Sequence, residues 1–337
     1  MHAQPRRTRR RSLAAATVVL VLAALATAAV AVTRRADRPG TPADRSGTPA
    51  ARPAAPTTQS GAPWPAGSTG PGAAGAATGC TPWGCDRQRR LTAAAALART
   101  APGRLGVTVL DRRTGAVWTA GAADHRTWAS STPKLALATS LLERARAGEV
   151  TLDRTARDQI DAMLHVSDNG AADALWDRYG GAAQLPRFRD RYSMTGLDFV
   201  PGFPRRWGFL KCSPADLRRL MTYVLTKLHP ADREHVVTAM RTVGSIQRWG
   251  VWAAGPAQRP GTKDGWSVEL DAGRRHWCTS SVGFAGPGER YVVAVMDDLP
   301  PGVGIAAGVH AVSDVVATAF GAPVPAPVTV PDESTGR

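Results

Sequence analysis

Apolar and polar positions change period twice along this chain. Residues Leu105-Gly106-Val107-Thr108-Val109-Leu110 are β-branched and apolar enough for a buried strand. Asp111 to Gly115 then supplies turn residues, and Ala116-Val117-Trp118-Thr119 completes a hairpin. From about residue 132 the spacing becomes helical, with Leu135, Leu137, Leu141 and Leu142 marking one helix. Further helices are predicted over 153–165, 169–179, 213–227 and 231–242, the third opening on Ser213-Pro214, a good N-cap followed by proline. Strands return at 277–285 and 290–297, and a last helix covers about 306–320. Strands at both ends around a helical middle predict an α+β fold. It is an α/β sandwich whose antiparallel sheet is built from both chain ends, with an all-α insertion. The cleft between the two parts is the natural place for a site.

The flanks follow other patterns. Five arginines between Arg6 and Arg11 precede an uncharged stretch from Leu13 to Val32, so residues 1–32 are predicted to be an export signal or membrane anchor. Either way the folded body is expected outside the cytoplasm, secreted or membrane-anchored, touching the membrane only through this segment. Residues 33–85 are rich in Pro, Gly and Ala and read as a linker. The folded domain is placed at 86–321, with 322–337 as a flexible Pro-rich tail. An exported chain with four cysteines suggests disulfides, and the pairs expected are Cys80–Cys85 and Cys212–Cys278.

Composition changes the picture in two places. The net charge of +15 invites a nucleic-acid reading, but about half the excess lies before residue 86 and no nucleic-acid motif accompanies the rest, so no such partner is expected. Only four of the 42 basic residues are Lys, and the single Asn is Asn169, so these rare residues carry extra weight as chemical candidates.

Three short motifs follow one another. Ser131-Thr132-Pro133-Lys134 is an S-x-x-K at a predicted helix start, where residues three apart share a face and the amine can reach the hydroxyl. A serine hydroxyl needs a base to become a nucleophile, and a desolvated lysine can be that base. Ser167-Asp168-Asn169 lies between two predicted helices and also suits a helix cap. Lys263-Asp264-Gly265-Trp266 lies near the first returning strand; alone it is a turn with a charge.

In this order the motifs resemble the S-x-x-K, S-D-N and K-T-G set of class A β-lactamases and penicillin-binding proteins. The chain resembles class A-like serine β-lactamases over about residues 90–320, in a divergent actinobacterial-type branch. The resemblance implies the β-lactamase/transpeptidase-like fold and a covalent acyl-enzyme. It implies Ser131 as nucleophile, Lys134 as base or relay, Ser167 as proton shuttle and Lys263 as its electrostatic partner. Asn169 would bind the substrate amide, Gly265 would admit close approach, and the N–H groups of Ser131 and Trp266 would form the oxyanion hole. Asp264 stands where Thr or Ser is usual, so it is expected to repel a substrate carboxylate or to pair with an Arg.

The loop glutamate that activates the hydrolytic water in that family has no counterpart, because no Glu occurs between Glu149 and Glu234. Asp198 lies roughly at that place and is the possible water base. Slow deacylation is therefore expected. The substrate expected is a small molecule or peptide, a β-lactam or a cell-wall-like amide, taken by a monomer. A D-alanyl-D-alanine peptidase or transferase and a non-catalytic penicillin-recognising module are the alternatives. No cofactor is implied: no G-x-S-x-G elbow, no phosphate loop and no metal-ligand spacing occurs. Trp249, Trp252 and Trp266 suit either a substrate wall or core packing.

Overall fold

Val292, Ala294 and Met296 alternate with Tyr291, Val293 and Val295 between two separate apolar cores, one on each face of the sheet. That two-sided burial explains why the last strand, β8 (Tyr291–Asp298), is continuously apolar rather than alternating. The computed structural model describes residues 82–271 and 273–335. The five-stranded antiparallel sheet runs β2 (Val117–Gly121), β1 (Gly106–Asp111), β8, β7 (Arg274–Ala285), β6 (Gly261–Asp271). The hairpin expected at 105–119 is β1–β2, with Leu110 opposite Val117. Strands from both ends of the chain meet where β1 pairs with β8.

One sheet face packs against α1 (Cys85–Thr100) and α8 (Ile305–Phe320) through Leu91, Val107, Val295 and Val312. The other face packs against the helical insertion, where α2 (Pro133–Arg146) is almost wholly buried. Around it stand α3 (Arg154–His165), α4 (Asn169–Arg178), α5 (Leu185–Arg191), α6 (Pro214–Thr226) and α7 (Pro230–Arg241). Ser213 caps α6 in a reciprocal box: its Oγ accepts from Asp216 N at 3.2 Å, and Asp216 Oδ2 accepts from Ser213 N at 2.9 Å. A second sheet, β3 (Thr127–Trp128), β5 (Leu210–Cys212) and β4 (Asp198–Phe199), joins the two parts.

Several expectations need correction. Helix α1 occupies residues that show no clear apolar period, because it is held by small alanines against α8. The strands return earlier than expected, at Gly261, and carry the third motif inside β6. The tail is not frayed through 330: Ala326 is buried and donates to Asp314 Oδ1 at 2.7 Å, while Val328 and Val330 cover the α1–α8 core. Cys212 and Cys278 are free buried thiols rather than a bridge, because Cys212 packs in the helical core and Cys278 beside Trp128 and Val200. Cys85 is disulfide-bonded; Cys80, the partner expected for it, lies outside the described residues, as do the export segment and most of the linker. Among the described residues no helix is long and apolar enough to cross a membrane.

Candidate active site

The first motif sits on a strained turn. Ser130 has φ +50°, in the left-handed region that non-glycine residues seldom occupy. Its hydroxyl is pinned 2.7 Å from Ser267 Oγ on β6. This turn brings Ser131 to the wall of a cavity and starts α2, with Pro133 inside the first turn and Lys134 N donating to Ser131 O at 3.2 Å. The second motif is strained as well: Ser167 has φ +63°. Its three residues divide the work. Asp168 caps α4 by accepting from Ala171 N at 2.7 Å, so the cap reading holds for it. Ser167 and Asn169 turn instead toward Lys134.

Lys134 Nζ donates to Asn169 Oδ1 at 2.7 Å and lies 3.3 Å from Ser167 Oγ. Lys263 Nζ reaches the same Ser167 Oγ at 2.9 Å from the opposite side and donates to Gln247 Oε1 at 2.7 Å. One serine hydroxyl is thus held between two buried amines. Burial first, then the nearby Lys263 charge, brings the Lys134 amine down to about 6, against the opposing pull of Asp168 and Asp173. Trp207 closes over it, with Nζ 4.4 Å from the ring centre. Burial also pushes Lys263 down.

Strand alternation decides which residues of the third motif face the site. Lys263 and Gly265 lie on the cavity side, and a methyl group on Gly265 would fall 2.6 Å from Ser131 N. The strand therefore presses directly on the Ser130–Ser131 turn, which only glycine permits. Asp264 and Trp266 point their side chains the other way. Asp264 is fully buried and does not line the cavity; Oδ1 accepts from Thr262 Oγ1 and Ser281 Oγ, both at 2.6 Å. The expected repulsion of a substrate carboxylate needs Asp264 to face the cavity, which it does not, and among the described residues no Arg pairs with it, because the strand turns this side chain into the back layer. The Trp266 ring packs edge-on against Trp249 at 6.2 Å in that layer, so both serve core packing, while Trp252 stands under the Arg248 guanidinium at 5.5 Å. Trp266 is also among the residues that line the cavity with Ser131.

The expected water base is corrected too. Asp198 is half exposed and pairs with Arg189 at 3.7 Å, away from the cavity. It lies on β4, whereas the residues that reach the cavity come from the following loop, Arg206 to Phe209.

The cavity measures ≈ 470 Å³. Its acidic groups are Asp173, held by Arg206 at 3.0 Å and by Trp207 Nε1 at 2.9 Å, and Glu269, which burial pushes up to about 7. Sequence reasoning missed Gln247, Trp207, Ser267 and Glu269. Ser267 and Glu269 follow Lys263 and Gly265 at the two-residue period of a strand, a signal that was available once β6 is extended to Asp271. Gln247 and Trp207 had no such signal: they arrive from loops. Gln247 accepts from Lys263 Nζ and donates to Leu164 O and His165 O at 2.7 and 2.8 Å, tying β6 to the end of α3.

No family model matches the chain. It is 32% identical over 206 residues to the protein named "Putative lipoprotein LppW" in Mycobacterium tuberculosis (strain ATCC 25618 / H37Rv), and equally to its namesake in Mycobacterium bovis; the match covers 58% of this chain and 63% of each relative. Among solved structures it resembles the class A β-lactamase of the last common ancestor of Gram-negative bacteria, with TM-score 0.58 and 24% identity over 69% of this chain and 98% of that one. An ancestral class A β-lactamase gives TM-score 0.55 and 24% identity, over 68% and 98%. The fold is therefore β-lactamase/transpeptidase-like.

Proposed function

We propose that this chain is an exported serine acyl hydrolase that forms a covalent acyl-enzyme on Ser131 with a β-lactam or cell-wall-like amide and releases the acyl group slowly. The observation that carries the reading is Ser167 Oγ held between Lys134 and Lys263, beside a serine whose backbone is pressed against Gly265. Neutral Lys134 takes the Ser131 proton as the hydroxyl attacks the carbonyl carbon. The N–H groups of Ser131 and Trp266 stabilise the oxyanion, aided by the start of α2. Ser167 gives its proton to the leaving nitrogen and regains one from the flanking amines. Asn169 and Gly265 border the substrate. The lipoprotein name of the LppW relatives agrees with placement outside the cytoplasm.

Slow release rests on the placement of the carboxylates. Asp198 faces away, and Asp173 is engaged by Arg206 and Trp207. Glu269 lies four residues beyond Gly265, about 13 Å along an extended strand. None is placed as a base beside the acyl carbon.

The test is intact mass spectrometry of the purified protein over time with a fluorescent penicillin, beside Ser131→Ala. The expected result is one adduct per chain that needs Ser131 and persists for minutes or longer. No adduct would reject acyl-enzyme formation with β-lactams, and rapid turnover would reject slow release.

A further inference from the structure

The far ends of β7 and β8 hold a second cluster of reactive side chains, outside the cavity of Ser131. His276 and Cys278 are two residues apart on β7 and so share a face. Cys278 stands directly opposite Asp298 on β8. His276 Nδ1 lies 2.8 Å from Asp298 Oδ1, and Cys278 Sγ lies 3.7 Å from that nitrogen and 3.8 Å from that oxygen. One nitrogen, one sulfur and one oxygen thus form a triangle.

A tetrahedral zinc ion binds such donors at about 2.0–2.3 Å, which sets them roughly 3.3–3.6 Å apart. Two edges of the triangle match within a few tenths of an ångström. The third opens by about 0.5 Å when an ion replaces the His276–Asp298 contact. We propose that His276, Cys278 and Asp298 bind one zinc-like divalent cation.

The surroundings supply a second, independent argument. A metal-bound histidine commonly gives its other ring N–H to a carboxylate, which fixes the tautomer. Here His276 Nε2 lies 3.3 Å from Asp271 Oδ2, and that carboxylate is itself held by Trp128 Nε1 at 2.9 Å and Lys211 Nζ at 3.0 Å. The remaining Asp298 oxygen lies 3.5 Å from His125 Nε2, and Thr127 Oγ1 lies 3.7 Å from the sulfur. A surface cavity of ≈ 510 Å³ is lined by Asp271, His276 and Asp298, giving the ion a way in and a solvent oxygen the fourth position. Binding exchanges the thiol proton for the metal: the S–H bond breaks, the sulfur–metal bond forms, and the proton leaves to solvent. Sequence spacing hides the set because its donors come from two strands and only pairing brings them together. Cys278 also stands opposite Ser267, whose hydroxyl holds Ser130 beside the nucleophile. The ion would brace the sheet behind that turn.

The test is zinc titration of the purified protein against a chromogenic chelator, with Co²⁺ as the spectroscopic probe. The expected result is one ion per chain and a thiolate-to-cobalt charge-transfer band that Cys278→Ser abolishes. Asp271→Asn keeps the band and weakens binding about 10–100-fold. The absence of stoichiometric binding, a wild-type cobalt spectrum without the thiolate band, or a band that survives Cys278→Ser would overturn the proposal. The wild-type spectrum decides the matter even where a variant fails to fold, and labelling of Ser131 by penicillin is scored separately.

Discussion

The most demanding consequence of the site concerns the proton inventory of Lys134. An ordinary lysine is neutral to only about 0.1% at pH 7.5, whereas an amine brought down to about 6 is about 97% neutral there. If neutral Lys134 is the base, acylation by a penicillin rises with pH through about 6 and is flat above 7. The perturbation is Trp207→Ser. The indole lies 4.4 Å over the amine, and burial is the largest cause of the depression, so admitting water moves the amine back toward its ordinary value. A recovery of about two units lowers the neutral fraction at pH 7 from about 90% to about 10%. Acylation then slows about tenfold at pH 7 and returns to its plateau above pH 9. The assay is stopped-flow acylation at saturating penicillin from pH 5 to 9.5. Because Trp207 also lines the cavity, the diagnostic is the position of the acid limb, not the height of the plateau. A wild-type limb near 9 or above, or a limb that Trp207→Ser leaves in place, refutes Lys134 as the base.

Two further predictions follow from burial and close contact. Gly265→Ala places a methyl group 2.6 Å from Ser131 N and 2.8 Å from Ser280 Oγ, so it displaces the N–H proposed as an oxyanion donor. Acylation should fall about 10²–10³-fold while the melting curve stays cooperative, and an unchanged rate would remove that N–H from the mechanism. Asp297 is buried with no cationic partner among the described residues, and burial pushes its carboxyl up to about 7 from 3.8. The folded state therefore holds a proton that the unfolded state has lost, and stability falls as pH rises from about 4 to 7, by about 4 kcal/mol at most. Asp297→Asn should raise the melting temperature at pH 8 and lose most of that gain at pH 4; a pH-independent effect would contradict the account.

Local chemistry made much of this protein legible before any tertiary structure. The apolar run from Val292 to Met296 reads as a strand, Ser213-Pro214 reads as a helix start, and Ser131-x-x-Lys134 reads as sharing one helical turn. These depend on backbone periodicity and on neighbours a few residues apart; that the strand is buried on both faces comes only with packing. The direction of Asp264 was not legible. Its place in the motif suggested the substrate, but strand parity turns it toward Thr262 and Ser281, and parity needs the register of β6 against β7. Asp198 failed for a related reason: order along the chain placed it in a loop, while pairing of β4 with β5 carries it to the surface beside Arg189. Gln247, Trp207 and the His276–Cys278–Asp298 triangle combine loops and strands far apart in sequence: Gln247 lies 83 residues from Leu164, Trp207 lies 34 from Asp173, and Cys278 lies 20 from Asp298. Composition determined where the chain can fold and the motifs determined which atoms can react. Only packing determined which carboxylates meet water, which meet lysine and which are sealed in the core, because desolvation belongs to the assembled surroundings of a group and not to its neighbours along the chain.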